Sequence, residues 1–205
     1  MMKSNKIYLA SQSPRRRELL KQIGVHFEPL LLRTELIRGA DVDESPLENE
    51  MPAIYVQRVC LAKAVAAQRA LQLRSLPAHP ILTADTTVAL GQQILGKPIN
   101  RDHAAEILHS LAGKQHQVLT AVTMILGEHC ESRLSTTTVH FSPLTDAQIN
   151  HYLLSNEAHD KAGAYGIQGQ AAAFVERIEG SYTGVMGLPL FETVELLRRF
   201  ACTEL

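Results

Sequence analysis

The chain has 205 residues, is 45% hydrophobic and 20% charged, and carries a net charge of −1. That length gives one substantial domain or two small ones of ordinary globular composition, and the charge balance excludes a global attraction to nucleic acid or acidic membranes. Three scattered cysteines, Cys60, Cys130 and Cys202, exclude a disulfide framework and lack zinc-ligand spacing. The first residues hold no signal-peptide core and no run reaches membrane-span length, so the cytoplasm is the expected compartment.

In chain order, Ile7 to Ala10 reads as a short strand feeding a first helix. Ser13 is a suitable N-cap, Pro14 suits the first helical position, Leu19, Leu20 and Ile23 form an apolar stripe, and Gly24 fits the stop. Val25 to Leu32 is a second extended run, and Arg33 to Met51 a polar, acidic loop. Pro52 opens the longest helical pattern, which runs to about Ser75 before Pro77 and Pro80. PILTADTTVAL is strand-like, with GQQ as a turn, and Asn100 caps RDHAAEILHSLA. HQVLTAVTMIL and ESRLSTTTVHF form a hairpin around Gly127, and Thr145 with Gln148 makes a capping box. KAGAYGIQG precedes the strand-like AAFVERI, and a last helix starts at Pro189. Strands and helices mix, with a hairpin in the middle, which predicts an α/β domain around a mixed sheet.

Several residues invite chemistry. In LASQSPRRRELL, Arg15, Arg16 and Arg17 fill the first turn of a helix, the end where backbone N–H groups and the macrodipole are already positive. With the hydroxyls of Ser11 and Ser13 they would make a phosphate cradle, or else they point into water. Asp85 interrupts an apolar strand, where an unpaired charge is expensive. It either works as a base or metal ligand beside a cation, or ends the strand and caps the next turn. Lys63 stands on an apolar helix stripe, to snorkel outward or to reach a phosphate.

Lys97, between Gly96 and Pro98, is a phosphate clamp or a turn lysine. Asp43 and Glu44 would hold a divalent ion with Asp85, or form a solvated loop. Gln168 in KAGAYGIQG offers a donor and an acceptor to a nucleobase edge. Together these pieces fit a nucleoside triphosphate. The short PRRR run, without interleaved aromatics, does not make a nucleic-acid surface.

In this order, LASQSPRRRELL, DVDES, VQRVCLAKA, TADTTV, ILGKP, KAGAYGIQG and GVMGLPL resemble the Maf family of nucleoside triphosphate pyrophosphatases. The resemblance implies one elongated α/β domain over residues 1–205, with a mixed central sheet flanked by helices, similar to the inosine-triphosphate pyrophosphatase type. It implies hydrolysis of a triphosphate to monophosphate and pyrophosphate with Mg²⁺ or Mn²⁺ by a cytoplasmic protein of a kind that is often a homodimer; the charge balance and the absence of a membrane-span run add the expectation of no nucleic-acid and no membrane partner. Asp85 matches the family's proton acceptor, and Arg15, Thr86 and Gln168 match positions that govern substrate choice. Ser13, Arg16, Lys63 and Lys97 match the phosphate-handling cleft, and Glu44 with Asp85 the metal side.

KAGAYGIQG resembles the subgroup acting on dTTP and UTP; a sister subgroup prefers 7-methyl-GTP. RTELIRGA, before Asp43, is longer than the usual connection, and Thr87 stands where an apolar residue is common. A nucleotide-sensing regulator of septum formation is the alternative, but Asp85 beside two lysines favours an enzyme, because a sensor needs cations and no base.

Overall fold

The computed structural model describes residues 6–33, 41–203 and 205; most of RTELIRGA lies outside them. One seven-stranded sheet, in the order β2-β1-β3-β5-β6-β7 with β4 on β3, organises the chain. β1 (Lys6–Leu9) runs parallel to both β2 (His26–Pro29) and β3 (Ile81–Leu90). From β3 onward the pairing is antiparallel, through β4 (Gln93–Leu95), β5 (Gln115–Leu126), β6 (His129–Phe141) and β7 (Val175–Glu179). The mixed sheet follows from the connections. Helix α1 (Pro14–Gln22) and the long helix α2 (Pro52–Leu73) are crossovers between parallel strands, whereas Gly127 turns β5 tightly into β6.

β5 and β6, of 12 and 13 residues, extend about 40 Å and tie two packed regions together. On one face of β3 and β5, α2 buries Val56, Cys60, Ala64 and Ala67 against Ala89, Leu119 and Ala121 and against Tyr8, Ile81 and Ile125. On the other face, α1 and the last helix (Leu190–Arg199) bury Leu19, Leu20, Leu196 and Leu197 against Ile7, Leu9, Leu82, Val122 and Met124. Further along, α3 (Arg101–Leu111) and α4 (Asp146–Tyr152) cover Val88, Val118, Val139 and Phe141. A strand covered on both sides needs apolar residues in both registers, which is why ILTADTTVAL is so nearly continuous in burial.

Local chemistry sets the boundaries. Ser13 Oγ accepts the Arg16 N–H to cap α1, Asn100 caps α3 and Thr145 with Gln148 closes a capping box on α4. α2 stops at Leu73 rather than Ser75, because Ser75 turns left-handed at φ 50°. AAFVERI is only partly strand: Gln170–Phe174 winds into a 3₁₀ turn and β7 begins at Val175. Among the described residues no helix is long and apolar enough to cross a membrane.

Candidate active site

The sheet contains a gap. β3 pairs along one edge with β1 at Ile81 and Leu82, and again with β4 from Val88 to Leu90. Between these contacts, residues 83–87 have a strand neighbour only on the β5 side. Asp85 lies in that gap, in mid-strand, so it neither ends the strand nor caps the next turn.

Alternate residues of β3 face opposite sides. Thr83 and Asp85 face α2, where Cys60 lies 3.6 Å from the Thr83 hydroxyl and Lys63 Nζ donates to Asp85 Oδ1 at 2.7 Å. Lys63 also pairs with Glu44 Oε1 at 3.0 Å. The Lys63 and Asp85 side chains are only 16% and 10% exposed, so Lys63 does not snorkel to water. Its ammonium makes two carboxylates from distant segments converge on one point.

Three residues that sequence reasoning passes over deliver Glu44 to that point. Tyr55 Oη donates to the Glu44 carbonyl at 2.9 Å, and Arg58 Nη2 donates to the Ser45 carbonyl at 3.0 Å. Arg58 also forms a two-pronged pair with Glu50, at 2.6 and 2.7 Å. Hydrogen bonding to Arg58 holds the Glu50 carboxyl down at about 2. Burial, reinforced by the Asp85 and Glu44 charges, pushes the Tyr55 phenol up to about 12. The available signal was the placement of Tyr55 and Arg58, three apart at the start of α2 and directly after an acidic stretch.

On the opposite face the three arginines of α1 part company. Arg16 turns inward and spends four of its five N–H groups: on the Gly187 carbonyl (2.7 Å), the Ala84 carbonyl (2.7 Å), Thr86 Oγ1 (3.1 Å) and Ser11 Oγ (3.3 Å). Burial draws its pKa below the ordinary arginine value, against the attraction of Asp85. Arg17 donates to the Gln12 carbonyl at 3.0 Å. Arg15 makes no hydrogen bond or ion pair among the described residues, which leaves its guanidinium for a ligand. Burial works against the Asp160 carboxylate, but the adjoining Lys161 and the more distant Arg15 charge keep it below the usual range. The arginines at the helix start are thus one internal brace, one local tie and one free cation. Ser13 is occupied as the cap, with its own hydroxyl proton still to give. Thr86 Oγ1 lies 3.0 Å from Thr120 Oγ1, which donates to the Gly184 carbonyl at 2.8 Å.

Lys97 and Gln168 are exposed, and neither has a side-chain partner among the described residues. Their loops are joined where Gly163 N donates to the Gly96 carbonyl at 3.2 Å. Gly163 has φ +72°, and a Cβ there would sit 2.9 Å from Val88 Cγ2, so only glycine lets this loop lie on β3. Tyr165 anchors the same loop from below, its hydroxyl 2.8 Å from His116 Nε2. The structure thus joins Asp85, Lys63 and Glu44 on one face, and Arg16, Thr86 and Ser11 on the other. Lys97 and Gln168 stand on a paired loop unit without direct contact to either group.

Among the described residues no three His, Cys, Asp or Glu side chains form a metal cage. The donor set present is two carboxylates on one point. It suits a cation of the Mg²⁺ type, which keeps several waters and shares substrate phosphate oxygens.

Comparison with known proteins adds to this geometry. A family model described as "Maf-like protein" matches residues 6–200. The dTTP/UTP pyrophosphatase of Aromatoleum aromaticum is 57% identical over 196 residues, covering 95% of each chain. The dTTP/UTP pyrophosphatase of Nitrosomonas europaea is 55% identical over 193 residues, 94% of this chain and 93% of that one. Among solved structures, the Staphylococcus aureus Ham1 protein superposes with a TM-score of 0.51 over 96% of this chain and 97% of its own. Its 14% identity speaks to the fold alone.

Proposed function

The chain belongs to the Maf family, and from that premise we propose that it is a pyrophosphatase that hydrolyses dTTP and UTP to the monophosphate and pyrophosphate. The observation that carries this reading is the convergence of Asp85 and Glu44 on Lys63, at 2.7 and 3.0 Å, on the α2 face of the sheet where its edge is interrupted. The relatives that match nearly the whole chain at 55–57% identity bear the name dTTP/UTP pyrophosphatase.

In this reading the triphosphate lies across the gap. Arg15 and the Ser13 hydroxyl meet it at the start of α1, and Lys97 meets it from the opposite loop. Lys63 places a positive charge beside the reacting phosphates. Asp85 takes a proton from water as the water oxygen attacks the α-phosphorus. The bond from that phosphorus to the bridging oxygen breaks, and pyrophosphate leaves among the fixed cations. Glu44 and Asp85 would hold Mg²⁺ or Mn²⁺, which would supply charge neutralisation on the phosphate oxygens. Arg16 acts from behind, by fixing Ala84, Thr86 and the Gly187 turn. Gln168 and Thr86 read the base. Three free cysteines support a reducing, cytoplasmic setting, and the homodimer rests on family resemblance.

The test is pyrophosphate release from dTTP, UTP, CTP, GTP and 7-methyl-GTP with Mg²⁺ or Mn²⁺. Fast release from dTTP and UTP supports the reading. Release from 7-methyl-GTP alone moves the protein to the sister subgroup. Nucleotide binding without release from any substrate replaces the enzyme with a sensor.

A further inference from the structure

The hydrogen bonds around Thr86 pair the most donors when they run in one direction, from Thr86 to Thr120 to the Gly184 carbonyl. A threonine hydroxyl carries one proton and two lone pairs. Thr120 is fully buried, and it spends its proton on the Gly184 carbonyl at 2.8 Å. It can therefore only accept from Thr86, 3.0 Å away, so the Thr86 proton points at Thr120. Arg16 Nη2, a donor without any acceptor capacity, occupies one Thr86 lone pair at 3.1 Å. The one capacity left on Thr86 Oγ1 is a second lone pair. The partly exposed Thr86 hydroxyl is thus an acceptor of fixed polarity.

Gln168 has no such constraint. It is exposed and without a partner among the described residues, so rotating its amide by half a turn exchanges donor and acceptor. A free amide donates to O4 of uracil or thymine in one orientation and accepts from N4–H of cytosine in the other, which leaves N3 to another group. Discrimination between these edges needs a second group that cannot turn over.

We propose that Thr120 is a positioning residue for base selection: it locks Thr86 as an acceptor, and the locked acceptor favours the imide bases, whose N3 bears a proton, over cytosine, whose N3 is a lone pair. The inference rests on the reading of the protein as a pyrimidine triphosphate pyrophosphatase with Thr86 at the base. Facing cytosine, the Thr86 lone pair meets N3 without an intervening proton, and an unmatched buried polar pair is penalised. Without the Thr120 hydroxyl, the Thr86 proton is free to swing toward N3 of cytosine. Arg16 can still donate to the oxygen, so the pocket then accepts either base.

The test compares kcat/KM for UTP and CTP, with the full-length protein and Mg²⁺, in the wild type, Thr120→Val, Thr120→Ser and Thr86→Val. The wild type is expected to favour UTP, and Thr120→Val to shrink the UTP/CTP ratio about tenfold, mostly through better use of CTP. Thr120→Ser, which keeps the hydroxyl, retains the ratio. Thr86→Val, at the partly exposed position, shrinks it without touching the buried one. Equal loss on both substrates in Thr120→Val, or an unchanged ratio in Thr86→Val, overturns the inference, as does a wild type indifferent to the base. Failure of the wild type to release pyrophosphate from UTP, dTTP or CTP defeats the function reading itself, and the inference with it. That result is visible before any variant is made.

Discussion

Lys63 Nζ lies 2.7 Å from Asp85 Oδ1 and is the one cation in direct contact with that carboxylate among the described residues. Both side chains are largely buried, so removing one partner strands the other in a dry place. Lys63→Met is expected to destabilise the protein by about 3 kcal/mol, and the double variant with Asp85→Asn by clearly less. Urea denaturation of the two variants measures the difference.

The same carboxylate is the proposed base. Asp85→Asn keeps shape and hydrogen-bonding capacity but cannot take a proton from water. It is expected to lower kcat at least 100-fold, with the KM for UTP within about threefold of wild type. Near-wild-type turnover in steady-state kinetics would remove Asp85 from that role.

Tyr55 acts at a distance from the reaction. Its hydroxyl holds the Glu44 carbonyl at 2.9 Å, and one such bond contributes about 1 kcal/mol. Tyr55→Phe is expected to raise the Mg²⁺ concentration for half-maximal rate about fivefold, with kcat at saturating Mg²⁺ nearly unchanged. A metal titration at fixed UTP checks it. An unchanged midpoint would mean that Glu44 does not serve the metal.

His116 supplies a pH dependence remote from the chemistry. Burial pushes this imidazole from 6.5 down to about 4, among Tyr165 and Phe141, with the nearby His140 charge adding to the effect. Between these pH values the unfolded chain takes up a proton that the folded chain refuses, so stability falls as pH falls from 6.5 toward 4. The loss by pH 4 is roughly 3 kcal/mol. His116→Gln should flatten that part of the stability curve. Denaturant midpoints at three pH values across the window decide it.

Gly163→Ala would place a Cβ 2.9 Å from Val88 Cγ2 on a backbone already at φ +72°. A destabilisation of about 2 kcal/mol is expected, with Tm lowered by about 4–8 °C. The loop that carries Gln168 must lift, so KM for UTP rises more than kcat falls. A thermal melt beside steady-state kinetics separates the two effects.

The local elements were legible because their signals are local. Pro14, Gly24, Asn100 and the Thr145–Gln148 pair fix helix ends through bonds spanning a few residues. Gly127 likewise marks the β5–β6 turn. For the candidate site, the sequence offers a list of residues but not their geometry. Taken alone, Lys63 reads as a snorkelling lysine and Asp85 as a strand-ending cap, because neither sequence neighbourhood contains the other. Only the packing of α2 on β3 brings them together. Arg16 misleads in the opposite direction. Its neighbours suggest a phosphate ligand, but its acceptors are carbonyls and hydroxyls contributed by Ala84, Thr86 and Gly187, far along the chain. Tyr55, Arg58 and Glu50 went unread because what they hold is mostly backbone, and backbone leaves no trace in a residue pattern.

The interrupted edge of β3 also bears on solubility. A stretch of strand without a neighbour invites the same stretch of another molecule to pair with it, the usual start of sheet-to-sheet aggregation. Here the Ala84 carbonyl, which such a visitor would seek, is already taken by Arg16 Nη1 at 2.7 Å. The guanidinium stands in for the absent strand and adds a charge that repels an identical edge. Substituting it with a neutral residue of similar size would expose an adhesive seam, and the soluble yield of the protein would decline even where each molecule still folds.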